Sequence, residues 1–477
     1  MKRVFIDTLG CAKNEYDSQV LAASLIERGC VITDDANDAD ILIVNTCGFI
    51  NDAKKESIER ILDLSDEYAG RKKLVVTGCL SERYHKELAE EIPEVDMFFG
   101  VNDYDRLPDL LLGEETASGK DVLGDMMRDR VGDSLDMLPY RKRDYRKSEF
   151  KDDEHYGYLK IAEGCNNACS FCAIPLIRGP YRSKRIEDCI KEAEDMATAG
   201  VKELILIAQD SSQYGRDLYG ELKLPELLRQ LCKVEGIEWI RLMYVYDNSI
   251  TDELIETIAS EDKICKYIDM PIQHISDNVL HRMKRQSTGG SIKAVIAKLR
   301  ERIPYVHIRT TLLVGFPGET EGDMDQLLEF IDTADIDRLG AFAFSDEEGT
   351  PSFELDGKVG DDEAASRRDT VMEHQLAVSE RLNEAKIGKF YEVMIDTCCQ
   401  IDADIEEIFG SDPIPEEFAS DGGRNTINIY EGRTRYDAPE IDCSVTVFSD
   451  RDDLDPGSIV NVKITNAYEY DLEGWQI

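Results

Sequence analysis

Over its first 112 residues the chain alternates short apolar runs with amphipathic stretches. The runs predict strands and the stretches between them predict helices, which is the pattern of a parallel sheet covered by helices. The predicted strands are Val4 to Leu9, Ile41 to Asn45, Leu74 to Thr77 and Val95 to Phe99. We therefore expect an α/β domain over residues 1–112.

From Gly157 the alternation resumes with longer units. Six strand and helix units without internal repeats predict a partial (β/α) barrel within a domain of residues 151–385. Its candidate strands are Tyr158 to Ala162, Leu204 to Ala208, Trp239 to Val245, Tyr267 to Ile272, His307 to Gly315 and Leu339 to Phe344. The chemistry of such a barrel is expected at the carboxyl ends of these strands.

Two further regions complete the chain. Residues 113–150 have little periodicity and many charges, which predicts a linker, and the basic run Arg141 to Lys147 within it is either solvated or a nucleic-acid contact. One polar helix is predicted over residues 361–387. Residues 386–477 then show short alternating runs between Gly and Asp turns, which is typical of a small antiparallel β-barrel. The runs are Tyr391 to Ile395, Ser444 to Phe448 and Ile459 to Thr465.

Three cysteines lie in one short stretch directly after the first strand of the predicted barrel. They are Cys165, Cys169 and Cys172, spaced Cys-x3-Cys-x2-Cys. Three thiolates can hold three irons of a four-iron cluster and leave the fourth iron open, and a catalytic metal site needs such an open position. The alternatives are a zinc loop or three buried thiols. A structural zinc site would need a fourth ligand close by, and the nearest candidate, His155, precedes the strand.

A second set of cysteines is dispersed along the first domain. Cys11, Cys47 and Cys79 each fall just beyond the carboxyl end of a predicted strand, beside a turn glycine. In a parallel sheet those ends share one edge, where ligands of α/β folds bind, so the sequence predicts a second metal site there. The alternative is three unrelated core cysteines. Cys30 lacks this placement and is predicted to be core packing.

Composition changes this picture little. The chain has 98 Asp and Glu against 56 Lys and Arg, a net charge of −42, which opposes non-specific nucleic-acid binding and favours a basic partner, although solubility alone would also explain it. The 13 cysteines, an odd number, suit a reducing compartment. Since no apolar run has membrane-spanning length and no signal-peptide core is visible, we expect a cytoplasmic protein without a membrane partner.

The three-cysteine loop, with Phe171 before its last cysteine, resembles the signature loop of the radical S-adenosylmethionine enzymes. That resemblance implies that the open iron binds the amino and carboxylate groups of S-adenosylmethionine and that reductive cleavage of the sulfonium gives a deoxyadenosyl radical. The turn from Gly315 to Thr320 is then a candidate for backbone contact with the adenosine part. Gln209, Gln273 and His274 lie at the same edge without an assigned role.

Two three-cysteine sets followed by a small β-barrel resemble the methylthiotransferases over nearly the whole chain, above all the branch that modifies an aspartate of the twelfth small-subunit ribosomal protein. The resembling stretches are Thr8 to Asn14, Asn45 to Lys54, Arg178 to Ser183, Met270 to His274, Glu347 to Pro351 and Arg435 to Asp442. Three features depart from that branch: Glu15 to Ser18, which is more like the transfer-RNA branch, Tyr246-Asp247 in place of the usual Tyr-Pro, and extra length near residues 402–424.

The resemblance implies two 4Fe-4S clusters and S-adenosyl-L-methionine as cofactors. Cys11, Cys47 and Cys79 would bind an auxiliary cluster, while Cys165, Cys169 and Cys172 would bind the radical cluster and, through it, the cofactor. No catalytic residue beyond these ligands is assigned. The implied partners are the small-subunit ribosomal protein or the assembling ribosomal subunit, an electron donor and a sulfur donor, and the implied reaction is β-methylthiolation of the aspartate.

Two other functions remain open from the sequence. One is methylthiolation of a transfer-RNA adenosine, and the other is a non-catalytic iron-sulfur protein that senses redox state and binds ribosomes through its small barrel. From residue 386 onward the chain has 7 Lys and Arg against 21 Asp and Glu, a net charge of −14. RNA binding needs cations to replace the counterions of phosphates, so this charge disfavours transfer RNA as a partner.

Overall fold

The computed structural model describes residues 1–68, 70–102, 104, 106–112, 155–404 and 426–477 of the 477-residue chain. The predicted linker at 113–150 with its basic run, and nearly all of the extra length predicted near 402–424, lie outside the described residues. Among the described residues, no helix has both the length and the apolar character needed to cross a membrane.

The first domain is a five-stranded parallel sheet in the order β2-β1-β3-β4-β5, which confirms the predicted parallel sheet and adds the short strand β2 to the four predicted strands. Its strands are β1 (Arg3–Thr8), β2 (Val31–Ile32), β3 (Ile41–Thr46), β4 (Lys73–Gly78) and β5 (Met97–Phe98). Its helices are α1 (Ala12–Glu27), α2 (Asn51–Tyr68), α3 (Cys79–Glu91) and α4 (Leu107–Leu112). The central strand β3 is buried along its whole length because successive apolar residues enter separate cores on the two faces of the sheet.

The second domain is an open arc of six parallel strands, which confirms the predicted partial barrel. The strands are β6 (Tyr156–Lys160), β9 (Glu203–Ile207), β10 (Trp239–Leu242), β11 (Tyr267–Asp269), β12 (His307–Val314) and β13 (Arg338–Ala343). They pair as β10-β9-β6 and β11-β12-β13, and a bridge between Ile240 and Ile264 joins the two groups. The helices are α5 (Ile174–Arg178), α6 (Ile186–Ala199), α7 (Arg216–Tyr219), α8 (Leu224–Leu231), α9 (Asp252–Ser260), α10 (Asp277–Arg282), α11 (Gly289–Arg302), α12 (Glu321–Ala334) and α13 (Asp361–Glu384).

A short antiparallel ladder interrupts the first βα connection of this barrel. It pairs β7 (Ala162–Glu163) with β8 (Arg182–Ser183) and so brings together the two ends of the stretch that carries the three-cysteine loop. The sequence pattern did not predict it, since two-residue strands are too short to show an alternation of apolar and polar positions.

The C-terminal domain is a closed five-stranded barrel in the order β14-β15-β16-β18-β17. Its strands are β14 (Phe390–Asp404), β15 (Thr426–Thr434), β16 (Val445–Ser449), β17 (Ile459–Ala467) and β18 (Leu472–Gln476). The predicted antiparallel pairing holds except between β16 and β18, which are parallel. The predicted runs correspond to β14, β16 and β17, and neither β15 nor β18 was predicted.

This small barrel packs against the amino-terminal ends of the arc's strands. The carboxylate of Asp442 accepts hydrogen bonds from the Tyr267 hydroxyl at 2.7 Å and from Arg309 Nε at 3.2 Å. Asp437 accepts one from Arg338 Nε at 2.9 Å. The stretch from Arg435 to Asp442 therefore closes the end of the arc that is opposite to the expected chemistry.

Candidate functional site

The three dispersed cysteines of the first domain, here called the sheet-edge thiols, meet at the carboxyl edge of the sheet. Cys11 precedes α1, Cys47 follows β3, and Cys79 begins α3 directly after β4. Their turns approach so closely that only glycine fits between them. A Cβ on Gly10 would lie 2.7 Å from the Cβ of Cys47, and one on Gly48 would lie 2.8 Å from the carbonyl carbon of Cys79.

Asn14 holds these turns together. Its Nδ2 donates hydrogen bonds to the carbonyl oxygens of Leu9 at 2.8 Å and Thr46 at 3.0 Å. Its Oδ1 lies 3.8 Å from Cys79 Sγ. One amide side chain thus fixes the turns after β1 and β3 and contacts the thiol after β4, which gives the Thr8 to Asn14 stretch a structural role.

The electrostatics of Cys79 reflect the same convergence. Burial raises the pKa of this thiol to about 12, Arg178 acts against that rise, and the neighbouring Cys11 and Cys47 add to it. The thiolate is the form that binds iron, so metal binding here would release a proton and replace it with metal charge.

The other three cysteines, here called the loop thiols, lie between β7 and α5. The loop closes at Gly164, whose φ is +75° and where a Cβ would lie 2.2 Å from the carbonyl oxygen of Pro180. Burial raises the pKa of Cys172 to about 12 and that of Cys165 to about 11, and Cys169 adds to both rises. The three thiols are therefore electrostatic neighbours on one turn.

Side chains from the next strand ends line this loop. The Tyr246 hydroxyl lies 3.0 Å from Cys169 Sγ, and the Arg285 guanidinium lies 3.7 Å from the centre of the Tyr246 ring. Arg285 also forms an ion pair with the buried Asp247 at 3.3 Å. The Tyr246-Asp247 departure thus supplies a buried carboxylate for a buried arginine beside the loop.

The donor chemistry of both sets fits iron-sulfur clusters. Each set offers three thiols, the ligands that such clusters take. In the part of the chain that the structure describes, no group of three His, Cys, Asp or Glu side chains is placed to hold one metal ion. A four-iron cluster makes a different demand, since each thiolate binds its own iron and the sulfurs stay farther apart.

Arg178, at the end of α5, joins the two sets. It is fully buried, and its Nη2 donates to Asn14 Oδ1 at 2.9 Å and lies 3.6 Å from Cys79 Sγ. Because Arg178 follows Cys172 by one short helix, the loop thiols are tied to the sheet-edge thiols through a single side chain.

The same arginine belongs to a buried ion network between the first two domains. Its Nη1 lies 3.0 Å from Asp17 Oδ2 and 3.1 Å from the Glu163 carboxylate. Lys160 pairs with Asp17 and, at 2.6 Å, with Glu163. Burial alone would raise the pKa of Glu163, but Arg178 and Lys160 hold it well below its usual range. Two cations and two carboxylates therefore balance inside the interface.

A second ionic bridge joins these domains at the sheet edge. Glu347, buried after β13, accepts from Lys54 Nζ at 2.8 Å and from Arg83 Nη1 at 2.7 Å. Arg83 also donates to the carbonyl oxygen of Gly48 at 3.0 Å, next to Cys47. The Glu347 to Pro351 stretch thus holds the first domain against the carboxyl ends of the arc.

Lys13 lies beside Cys11 and is only 7% exposed. Its Nζ sits 3.0 Å from the centre of the Tyr244 ring, which follows β10. Burial lowers the pKa of this lysine to about 8. Within the described ranges, no carboxylate, carbonyl or hydroxyl oxygen accepts a hydrogen bond from it.

Three further sequence predictions concern the Gly315 to Thr320 turn, His274 and Cys30. In the Gly315 to Thr320 turn, the Gly315 N–H donates to the Glu319 carboxylate at 3.0 Å and the Gly318 N–H to the Gly357 carbonyl at 2.8 Å, so these donors are used within the protein. Contact of this turn with adenosine stays a prediction. His274 is fully buried, its Nδ1 accepts from the Ser276 N–H at 3.0 Å, and its Nε2 lies 3.6 Å from Glu319 Oε2. Cys30 lies in the core, as predicted.

Sequence reasoning missed Arg178, Lys13, Asp17 and Tyr246 as site residues. Their only signal was membership in, or departure from, the resembling stretches. Asp17 belongs to the stretch that looked like the transfer-RNA branch, yet in the structure it serves the domain interface.

Three family models match the chain: an uncharacterized protein family, UPF0004, over residues 3–100, the radical SAM superfamily over residues 159–331, and the TRAM domain over residues 420–477. The chain is 44% identical over 479 residues to the ribosomal protein uS12 methylthiotransferase RimO of Thermoanaerobacter sp. (strain X514), covering 99% of this chain and 100% of that protein. It is 42% identical to the protein of the same name from Clostridioides difficile (strain 630), covering 99% and 98%.

Among solved structures, the radical S-adenosylmethionine methyltransferase TsrM from Kitasatospora setae, with cobalamin and a [4Fe-4S] cluster bound, is similar with a TM-score of 0.54. The identity is 15%, and the match covers 74% of this chain and 77% of that chain. This likeness concerns the fold.

Proposed function

We propose that this chain, which belongs to the RimO family of radical S-adenosylmethionine methylthiotransferases, transfers a methylthio group to the β-carbon of an aspartate in ribosomal protein uS12. Its place of action would be the cytoplasm, on the free protein or the assembling small subunit. An electron donor and a sulfur donor complete the proposed set of partners.

The observation that carries the proposal is the juxtaposition of two three-thiol sets by one buried arginine. Arg178, at the end of the helix that follows the loop thiols, lies 3.6 Å from Cys79 Sγ. A carbon-hydrogen bond that is not acidic is broken by a radical that abstracts the hydrogen atom. Sulfur must then reach the resulting carbon radical before it reacts elsewhere. Two sites held at a fixed separation meet that need.

We assign Cys165, Cys169 and Cys172 as ligands of the radical cluster, and Cys11, Cys47 and Cys79 as ligands of the auxiliary cluster. When bound, these clusters and S-adenosylmethionine supply the one-electron chemistry and the transferable methylthio group. The chain's own residues do the positioning. Asn14 fixes the sheet-edge turns, and Arg178 with Glu347 fixes the two domains against each other.

The charge of the C-terminal domain supports a protein substrate over transfer RNA. Its net charge of −14 would attract a basic ribosomal protein and repel a nucleic acid. The stretch from Glu15 to Ser18 gives the RNA alternative no support, because Tyr16 and Asp17 are buried against Lys184 and Lys160 in the domain interface. We propose domain boundaries at 1–112, 151–385 and 386–477, with residues 113–150 as a linker.

The test compares a deletion strain with strains complemented by variants, using mass spectrometry of uS12 and of transfer RNA. The unmodified chain should restore methylthioaspartate in uS12 and leave transfer-RNA methylthioadenosine unchanged. Replacing the three loop thiols with Ala should remove one cluster and all cleavage of S-adenosylmethionine. Replacing the three sheet-edge thiols should remove the other cluster and the product while leaving cleavage detectable.

Cys398→Ser is the matched control, since Cys398 is exposed on β14, away from both sets, and should change neither iron content nor product. Loss of transfer-RNA methylthioadenosine in the deletion strain, with uS12 modification intact, would contradict the proposed substrate. Unchanged iron content in the loop-thiol variant would contradict the ligand assignment.

A further inference from the structure

Lys13 connects the sheet-edge thiols to the strand end after β10. It is two residues from Cys11, and its Nζ sits 3.0 Å from the centre of the Tyr244 ring. Two residues further along the same segment, the Tyr246 hydroxyl lies 3.0 Å from Cys169 Sγ. Lys13 therefore points from the sheet edge toward the strand end that contacts the loop thiols, and this is where a substrate must lie to be served by both sets.

Among the buried lysines of this interface, Lys13 differs in forming no ion pair with an Asp or Glu of the described residues, and Cys11 is the neighbour that most favours its charged form. Lys160 pairs with Asp17 and Glu163, and Lys184 pairs with Glu192 at 2.6 Å. A buried ammonium without a counter-charge is costly, and proteins normally supply one. An anion from outside the described chain would remove this cost.

The nearest strand-end carboxylate, Asp269, is already used. Its Oδ1 lies 3.0 Å from Arg309 Nη1, and its Oδ2 accepts from the Tyr244 N–H at 3.0 Å. It contributes to the electrostatic environment of Lys13 but makes no hydrogen bond to it. Within the described parts of the chain, the ammonium group thus has an aromatic face on one side and no hydrogen-bond acceptor.

We propose that Lys13 binds the side-chain carboxylate of the target aspartate. This inference rests on the proposed function. The carboxylate is bonded directly to the β-carbon that receives the methylthio group, so an ammonium that holds the carboxylate also fixes the reacting carbon between the two sets. An adenine base carries no carboxylate, so the same lysine favours a protein target over a nucleobase.

The test is a double-mutant cycle on the full-length, anaerobically reconstituted protein. The affinity of uS12, and of uS12 with its target Asp replaced by Asn, is measured for the unmodified chain and for Lys13→Met. A charge-assisted contact predicts that Lys13→Met weakens binding of uS12 by about tenfold to a hundredfold. The Asp-to-Asn protein should bind both forms of the enzyme equally. Lys86→Met, at an exposed lysine of α3, controls for the loss of one positive charge.

Two further readouts separate this role from a structural one. Iron content of Lys13→Met should equal that of the unmodified chain, and its thermal midpoint should not fall, because an unpaired buried charge is removed. Equal affinity of Lys13→Met for uS12, or the same loss toward the Asp-to-Asn protein, would overturn the assignment of Lys13. Failure of the unmodified chain to bind uS12 at all would overturn the proposed function and the inference with it.

Discussion

Replacing Arg178 with Met should loosen the first domain from the barrel. The change leaves Asp17 and Glu163, both buried, with Lys160 as their one remaining cation in the network. It also removes the hydrogen bond to Asn14 Oδ1 and the contact with Cys79 Sγ. Two negative charges then face one positive charge, and the unbalanced negative charge is buried away from water.

The size of the effect follows from this imbalance. Removing one partner of a buried ion pair costs about 3–5 kcal/mol, and at about 1.4 kcal/mol per tenfold the opening equilibrium should rise by about two to three and a half orders of magnitude. Arg178→Lys keeps the charge but lacks the planar fork that reaches several acceptors, so its effect should be intermediate. The control is Arg185→Met, because Arg185 is 52% exposed and its pair with Asp188 contributes little.

Amide hydrogen exchange measures the opening locally. Peptides from α1 should exchange about a hundredfold to several thousandfold faster in Arg178→Met, while helices of the barrel outside this interface, such as α11, should be unchanged. Exchange of α1 at the unmodified rate would refute the reasoning. So would an equal acceleration over all three domains, since that would indicate global destabilisation rather than loss of one interface.

Two further variants test the loop and the pH response. Gly164→Ala should lose the iron of the loop thiols, because its Cβ would meet the Pro180 carbonyl at 2.2 Å, whereas Gly220→Ala, also at positive φ but in open space, should keep it. Equal iron in both would contradict this. His307 stacks on Tyr436, and burial lowers its pKa to about 4. In the unfolded chain this histidine has a pKa of about 6.5 and therefore binds more protons than in the folded chain. Its contribution to the free energy of unfolding is complete above pH 6.5, and that free energy falls by about 2 kcal/mol between pH 7 and 5. Urea unfolding of His307→Gln should depend less steeply on pH, and an equal slope would exclude this role. The charged groups around the ring are Asp337, Asp437, Lys386 and Arg338.

The fold could be predicted where burial leaves a local pattern. β3 is apolar at successive positions because helices cover both faces of the sheet, and such a strand is visible in the sequence. β2, β7 and β8 have two residues each and carry no such pattern. Their pairing depends on partners elsewhere in the chain, such as Glu163 with Arg182.

The candidate site divides in the same way. The six cysteines that we propose as cluster ligands could be singled out from their spacing and from their positions at strand ends. Arg178 could not, because its partner Asp17 lies 161 residues away, and an ion pair at that separation leaves no local signal. The C-terminal stretch was attributed to a substrate-binding module, but Asp437 and Asp442 bind arginines of the barrel strands. This part of the C-terminal domain therefore contacts the second domain.

Two of the stretches that resemble the family but hold no cysteine, Arg178 to Ser183 and Glu347 to Pro351, share a physical role. Arg178 connects the loop thiols to the turn of Asn14, and Glu347 connects the end of the barrel to Arg83 beside Cys47. These two contacts join the same pair of domains through different elements, so together they oppose rotation as well as separation. A carbon radical formed at one site reacts with whatever lies nearest, and the sulfur source must therefore already be in place. We propose that these buried ion pairs fix the relative orientation of the two domains, which an apolar interface would hold together without fixing.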